Sequence, residues 1–255
     1  MSTIFEKHEN FLKKKQSKFK IKDGILFRGT IKGGKGDFST NRGKGEAAEI
    51  WEKSPRRYLY ITKELTEKQR GWNDIRNEDG LNKNGYDITG RFYKNYMYNL
   101  YGMESTVLKN RFVKWENLSH EESVDFFQNK AALARINCGK DYGQTSTNYK
   151  RLKELVEVNG DLLKKQIQLL DADIIVCCGS DTIMLDLVRD TYPNADWKWN
   201  NKLHRGIHYS EKIKKIVVHS YHPSYFGISP KDFYEDTIKP FSAFIKKHQD
   251  FKNFR

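Results

Sequence analysis

The chain has 255 residues, enough for one domain with a substantial core, and its net charge of +13 favours a polyanionic partner. Three cysteines without a CxxC pair exclude a zinc knuckle and an iron–sulfur cluster of ordinary spacing. No apolar run approaches the roughly 18 residues of a membrane span and no secretory signal opens the chain, so we expect a cytoplasmic protein without membrane contact.

Aromatic residues make up 13% of the chain, and together with the excess of basic residues they suit a protein that holds phosphates and stacks on bases. Nucleic acid is therefore the leading candidate for a partner. A surface that is basic only for solubility is the alternative.

The first 50 residues form a basic, glycine-rich extension. Residues 1–22 carry seven lysines against two glutamates, which fits either a basic arm on DNA or the solvated face of a helix. Segment 29–46 comes close to a phosphate-binding loop motif, but Gly36 stands where Ser or Thr is needed. It is either a loop that touches a nucleic-acid backbone or an inert surface loop.

Four short apolar segments predict the strands of a sheet. Three of them lack the alternation of polar and apolar residues, which indicates burial on both faces, as in parallel sheets. With helical patterns between them, they predict a three-layer α/β/α fold, a four-stranded and mainly parallel sheet between helices, in a single domain over 1–255. The predicted strands are Tyr58–Ile61, Ala131–Ile136, Asp173–Cys178 and Ile213–Val218.

Apolar spacing and capping residues predict the helices. Residues 161–170 carry apolar side chains at helical spacing. Ser180-Asp181 can cap the next helix, and Ser229-Pro230 with Asp232 at the third helical position marks the start of another. Residues 71–100 are rich in Asn, Gly and aromatics, and we expect them to be irregular and to form a rim around a pocket.

Polar residues follow the predicted strands at their carboxyl ends, where ligands bind in doubly wound sheets. Glu64 follows the first strand, Asn137 the second, Gly179-Ser180 the third and His222 the last. Carboxyl ends of parallel strands share one edge of the sheet, so these residues are expected to converge.

Three motifs at these strand ends carry a resemblance. Thr62-Lys63-Glu64-Leu65, Asn137-Cys138-Gly139-Lys140 and His222-Pro223-Ser224 occur in that order, with a strand ending in Gly179 before the last. Together they resemble the uracil-DNA glycosylase superfamily over roughly residues 57–240. The resemblance implies a monomeric enzyme that flips a pyrimidine out of DNA and hydrolyses its N-glycosidic bond without cofactor or metal.

The resemblance also implies roles for the residues. Glu64 would stabilise the sugar cation and orient water, and His222 would donate a hydrogen bond to the pyrimidine O2. Asn137 would read the edge of the base, and its amide suits uracil or cytosine.

Further residues would bind the DNA around the flipped nucleotide. Ser180 and Ser224 would hold phosphates, Lys140 would add a basic contact, and Tyr225 or Phe226 would wedge into the vacated stack. The aromatic that stacks on the base is left open among Trp72, Phe92 and Tyr93.

One departure from the family bears on the substrate. Thr66 stands where the strict uracil enzymes carry a tyrosine that blocks substituents on C5 of the base. We therefore expect a 5-modified cytosine of phage DNA as substrate, as in the branch that attacks hypermodified viral DNA. Plain uracil in base-excision repair is the alternative.

Each site residue also has a structural interpretation. Glu64 could begin a surface helix, Asn137 could be a turn residue, and His222 could be a structural histidine. Another carboxylate would then come from one of Asp74, Glu78 and Asp79.

Two other classes of function stay open. One is a catalytically inactive DNA-binding module on the same scaffold. The other is a metal-dependent nuclease, which needs clustered acids. The histidine pairs His219/His222 and His204/His208 indicate a metal site only weakly, because the first lies along a strand and the second spans Gly206.

Overall fold

The computed structural model describes residues 2–15, 23–29, 44–63, 65–66, 75–77, 91–143, 148–179, 181–198 and 205–254. Helices in these ranges are α1 (Ile4–Lys14), α2 (Lys44–Lys53), α3 (Arg91–Lys109), α4 (His120–Asp125), α5 (Tyr149–Leu170), α6 (Ile183–Thr191) and α7 (Pro230–Lys247). Strands are β1 (Gly24–Ile25), β2 (Phe27–Gly29), β3 (Arg57–Thr62), β4 (Leu65–Thr66), β5 (Ile75–Asn77), β6 (Ala132–Asn137), β7 (Tyr142–Gly143), β8 (Ile174–Cys178), β9 (Ile207–Ser210) and β10 (Lys215–Ser220).

The main sheet has six strands in the order β1-β6-β3-β8-β10-β9. Its four central strands run parallel, and the two edge strands β1 and β9 are antiparallel to their neighbours. The α/β class and the four strands inferred from apolar runs are confirmed, but the prediction of a four-stranded sheet is wrong. The two edge strands are not predicted by apolar runs, because β1 has only two residues and β9 alternates in burial, as antiparallel edge strands do.

Helices cover both faces of this sheet. Alternate residues of β3 pack into different cores, since Leu59 and Ile61 face one helical layer while Tyr58 and Tyr60 face the other. The first layer contains α1, α2, α5 and α6, and the second contains α3, α4 and α7. None of the helices within the described ranges is long and apolar enough to cross a bilayer.

Capping residues set the helix starts. Ser229 Oγ accepts from the Asp232 backbone N–H (3.0 Å) with Pro230 in the first turn of α7, which confirms that prediction. At α6, Asp181 Oδ1 accepts from the Ile183 N–H (3.1 Å), while Ser180 lies outside the described residues.

Helix α3 corrects the expectation of irregular structure over 71–100, because 91–100 are helical. Its buried face includes Asn95, Asn99 and Gly102 among apolar side chains, so the apolar period is hard to read in the sequence. Gly102 is required there, since a Cβ would lie 2.5 Å from Cε2 of Tyr234 in α7.

The extension at the start of the chain is in part an integral element of the fold. Thr3 and Glu6 form a reciprocal cap at the start of α1, with hydrogen bonds of 3.1 and 3.0 Å. His8 of this helix is buried, so 4–14 form a packed helix with one solvated face. Most of the glycine-rich segment, 30–43, lies outside the described residues.

Candidate functional site

The parallel strands bring the predicted polar positions to one edge of the sheet. Thr62 and Asn137 are register partners at the ends of β3 and β6, and Ser220 pairs with Cys178 at the ends of β10 and β8. Asn137 and His222 therefore lie at the same edge, with two strands, β3 and β8, between theirs. Glu64 and Ser180 lie outside the described residues, and only the backbone of Thr66 is described, in β4.

His222 follows β10 and is held in a single orientation by Ser224. Nδ1 lies 2.7 Å from Ser224 Oγ and accepts the backbone N–H of Ser224 at 3.3 Å. Because a backbone N–H can only donate, Nδ1 carries no proton in the neutral ring. The proton is on Nε2, which can donate a hydrogen bond to a ligand.

The surroundings keep this imidazole neutral. Burial, together with the positive charges of Lys63 and Arg135, lowers the pKa of His222 from 6.5 to about 4. Lys63 follows β3 and Arg135 belongs to β6, so charges from two strands act on a ring that follows a third strand, β10. At neutral pH the ring is a hydrogen-bond donor rather than an acid.

Helix α3 fixes the loop that carries His222. Asn95 Nδ2 donates to the carbonyl oxygen of Pro223 (2.8 Å), and Arg91 donates to the carbonyl oxygen of Ile228. Within the loop, the Tyr225 N–H donates to the His222 carbonyl oxygen (2.8 Å). The imidazole is thus positioned by a loop that is bonded to α3. The sequence alone gives no sign of these bonds between the loop and the helix.

An aromatic side chain of α3 lies next to the imidazole. The Phe92 ring centroid is 5.7 Å from that of His222, and the Arg135 guanidinium carbon is 5.5 Å from the Phe92 centroid. Of the three candidates for a stacking aromatic, Phe92 is therefore adjacent to His222. Tyr93 contacts Phe92 at 5.3 Å, and Trp72 lies outside the described residues.

The two candidate wedge residues differ in their surroundings. Tyr225 stacks on Tyr221 with centroids 5.1 Å apart and rings 2° from parallel. A Cβ at Gly227 would collide with the Tyr225 ring, so glycine is required beneath it. Phe226 projects into solvent with 85% of its surface exposed, against 43% for Tyr225. Phe226 is therefore the residue that can enter a neighbouring molecule.

Asn137 is embedded in a polar network below the surface. Its backbone N–H and its Nδ2 donate to Asp23 Oδ2 (2.7 and 3.3 Å), while Oδ1 accepts from Thr62 Oγ1 (2.7 Å). The residue is only 1% exposed.

Lys140 requires a correction, because it is not on a surface that DNA can reach. Its Nζ donates to both oxygens of Asp23 (2.9 and 2.8 Å) and to Gln166 Oε1 (2.8 Å), and the residue is 2% exposed. Within the interior, an ammonium paired in this way neutralises the Asp23 carboxylate. We reassign Lys140 from DNA contact to this buried ion pair.

The network extends to α1 through Gln166. Its Nε2 donates to Asp23 Oδ1 (2.9 Å) and to His8 Nε2 (3.1 Å). Burial lowers the pKa of His8 to about 4, with Asp23 opposing and Lys140 reinforcing the shift. The ring lies against Gly24, where φ is +146° and a Cβ would collide with it.

Sequence reasoning missed Asp23, His8 and Arg135. Asp23 precedes Gly24-Ile25-Leu26, and an Asp-Gly pair before apolar residues is a signal for a turn followed by a short strand. That signal could have pointed to Asp23 as a polar residue at the end of a strand. Arg135 lies among apolar residues of β6 and is 4% exposed, and nothing in the sequence predicts that burial.

The weak metal interpretation gains no support. In the described part of the chain, no group of three His, Cys, Asp or Glu side chains is arranged to hold a metal ion. His219 belongs to β10, and its Nε2 lies 2.9 Å from the carbonyl oxygen of Gly179.

Comparison of the chain with models of known protein families finds no match, and comparison with curated proteins finds none either.

Proposed function

We propose that the protein is a DNA glycosylase that hydrolyses the N-glycosidic bond of an extruded pyrimidine and leaves an abasic site. The observation that carries this proposal is His222, a neutral imidazole with a fixed tautomer at the carboxyl end of a parallel sheet. A glycosylase built on the uracil-DNA glycosylase plan needs such a donor.

The chemistry explains the value of a neutral donor. As the bond between C1′ and the base nitrogen breaks, negative charge collects on the pyrimidine, most of it on O2. A preorganised Nε2–H at that oxygen contributes about 3–4 kcal/mol to transition-state stabilisation. The positive charges of Lys63 and Arg135 act at this position and favour the departing anion.

The position of Asn137 suits contact with a base that has been extruded from the DNA duplex. Its Nδ2 keeps a second N–H and its Oδ1 a second lone pair beyond the bonds to Asp23 and Thr62. These two groups match the donor and acceptor of a pyrimidine edge. Because the amide is buried, only an extruded base could present that edge to it.

DNA contact is proposed for the loop after His222. Phe226 would enter the space that the flipped nucleotide vacates, and the net charge of +13 would attract the phosphate backbone. Ser224 would serve the site through His222, since its hydroxyl already lies on Nδ1. We propose that the protein acts as a monomer in the cytoplasm.

Two proposals depend on residues whose side chains are not described. Glu64, after β3, would stabilise the sugar cation and orient water. Thr66 would leave space beside C5, so we propose a 5-modified cytosine of phage DNA as substrate, in antiviral defence.

The test uses three otherwise identical duplexes that carry uracil, 5-hydroxymethylcytosine or its glucosylated form at one position. After incubation with protein, alkali breaks the strand at any abasic site. We expect breaks to form much faster at one type of base than at the other two, and we expect His222→Ala and Asn137→Ala to reduce the rate at least about a hundredfold. His120→Ala, which alters a histidine bonded to Tyr98 instead, is the matched control.

The same experiment separates the alternatives. Breaks at uracil alone would indicate base-excision repair rather than defence. DNA binding without breaks at any base would indicate an inactive binding module, and cleavage without alkali that a chelator abolishes would indicate a nuclease.

A further inference from the structure

The Asn137 amide is flanked by two groups with different hydrogen-bonding abilities. Asp23 Oδ2 lies 3.3 Å from Nδ2, and Thr62 Oγ1 lies 2.7 Å from Oδ1. A hydroxyl can donate or accept, whereas a carboxylate only accepts. If the amide were rotated by half a turn, Oδ1 would face the carboxylate, and two acceptors would be in contact. Asp23 therefore determines the orientation of the amide, and Thr62 adapts to it.

Asp23 is itself fixed by its partners. Lys140 Nζ lies 2.9 and 2.8 Å from its two oxygens, and Gln166 Nε2 lies 2.9 Å from Oδ1. The side chains of Lys140 and Asp23 are 2% and 0% exposed, so these bonds are charge-assisted in a medium of low dielectric. These bonds hold Asp23 Oδ2, the oxygen that faces Asn137, in a fixed place.

The orientation of an amide matters because uracil and cytosine differ at the edge it would read. Uracil presents the N3–H donor and the O4 acceptor, whereas cytosine presents the N3 acceptor and the N4 amino donor. An amide with its oxygen and nitrogen in fixed positions complements one of these edges and opposes the other. A freely rotating amide would accept both.

We propose that Asp23 sets the choice between uracil-type and cytosine-type pyrimidines by fixing the orientation of the Asn137 amide. The proposal rests on the proposed glycosylase function. Asp23 touches no base and is a positioning residue. It also gives the N-terminal extension a part in the site, because Asp23 leads into β1 and His8 of α1 bonds to Gln166, one of its partners.

The test is Asp23→Ala, which removes the carboxylate that faces Nδ2 and leaves the Asn137 amide free to rotate. For wild type and variant, kcat/KM is measured on matched duplexes that carry uracil or 5-hydroxymethylcytosine, and the value for the preferred base is divided by the value for the other base. The variant is expected to lower this ratio by at least about tenfold, since one mismatched hydrogen bond is of that size. An unchanged ratio, with both rates reduced equally, would overturn the proposal.

Asp173→Ala is the matched control. Asp173 is 5% exposed and its Oδ2 accepts the Arg57 backbone N–H (2.8 Å), but it lies at the amino ends of the strands. This variant should leave the ratio unchanged. Because Asp23→Ala leaves Lys140 without its counter-charge, Asp23→Ala combined with Lys140→Met is the second variant, and the same reduction of the ratio is expected.

A spectroscopic readout separates this inference from the proposed function. If wild-type protein excises no base, the glycosylase proposal fails, and the orientation of the amide can still be measured from the side-chain ¹⁵N signals of Asn137. A single set in wild type that shifts or doubles in Asp23→Ala, but not in Asp173→Ala, supports the positioning role. Identical signals in wild type and Asp23→Ala would overturn it.

Discussion

Ser224 presents both its hydroxyl and its backbone N–H to one nitrogen of His222, at 2.7 and 3.3 Å from Nδ1. Ser224, two residues after His222 in the sequence, thus sets the tautomer of the ring on which the proposed chemistry depends. The proline between them is held from α3 through its carbonyl oxygen, so the arrangement does not rest on the loop alone.

The first prediction concerns the protonation of His222. Because its pKa is lowered to about 4, the ring should remain the Nε2–H tautomer as the pH falls from 8 to 5 and should gain a proton only near pH 4. Imidazole ¹⁵N chemical shifts across a pH titration measure this directly. A midpoint near the ordinary value of 6.5 would show that the ring is not held neutral by its surroundings.

The second prediction concerns Ser224. Ser224→Ala removes the hydroxyl and keeps the backbone N–H, so Nδ1 loses one of two contacts. We expect the excision rate to fall about fivefold, the size of one ordinary hydrogen bond, and the melting temperature to stay unchanged because the residue is exposed. Single-turnover kinetics are the measurement. If Ser224→Ala weakened DNA binding and left the single-turnover excision rate unchanged, Ser224 would instead contact a phosphate.

The third prediction separates Phe226 from Tyr225. Phe226→Ala removes a ring that is 85% exposed, so protein stability should not change, while excision from a duplex should fall at least about tenfold. Excision from single-stranded DNA should change less, because no base stack has to be opened. Leu108→Ala, at a 69% exposed apolar position, is the control, and equal effects of both variants would argue against a wedge.

The fourth prediction links His8 to stability. The unfolded chain binds a proton near pH 6.5 and the folded chain only near pH 4, so the free energy of unfolding should fall as the pH decreases between these values. The contribution of His8 is at most about 3 kcal/mol. Urea denaturation at pH 7, 6 and 5 is the measurement. His8→Gln keeps an acceptor for Gln166 and should make the free energy of unfolding depend less on pH. The same pH dependence in wild type and variant would contradict a buried, neutral His8 ring.

The sequence predicted the centre of the fold better than its edges. Short apolar segments predicted β3, β6, β8 and β10, and these strands are buried on both faces. The edge strands carry little of that signal. Helix α3 was missed at its start because Asn95 and Asn99 point inward, where they bond to Pro223 and Thr237 rather than to solvent.

The candidate site shows a similar division. Order along the chain and strand ends sufficed to bring Asn137 and His222 to one edge of the sheet. The partners of each polar atom depend on side-chain packing, which one sequence does not reveal. Lys140 was therefore interpreted as a surface lysine, although it is buried against Asp23, a residue 117 positions away.

The most direct measurement of the central claim is the fate of the base, followed by mass spectrometry of the reaction products. Hydrolysis of the glycosidic bond predicts the free pyrimidine in solution and an unbroken strand that carries one abasic sugar, with both products formed at least about a hundredfold more slowly by His222→Ala. Unchanged DNA, or nucleotides released in place of free base, would contradict it.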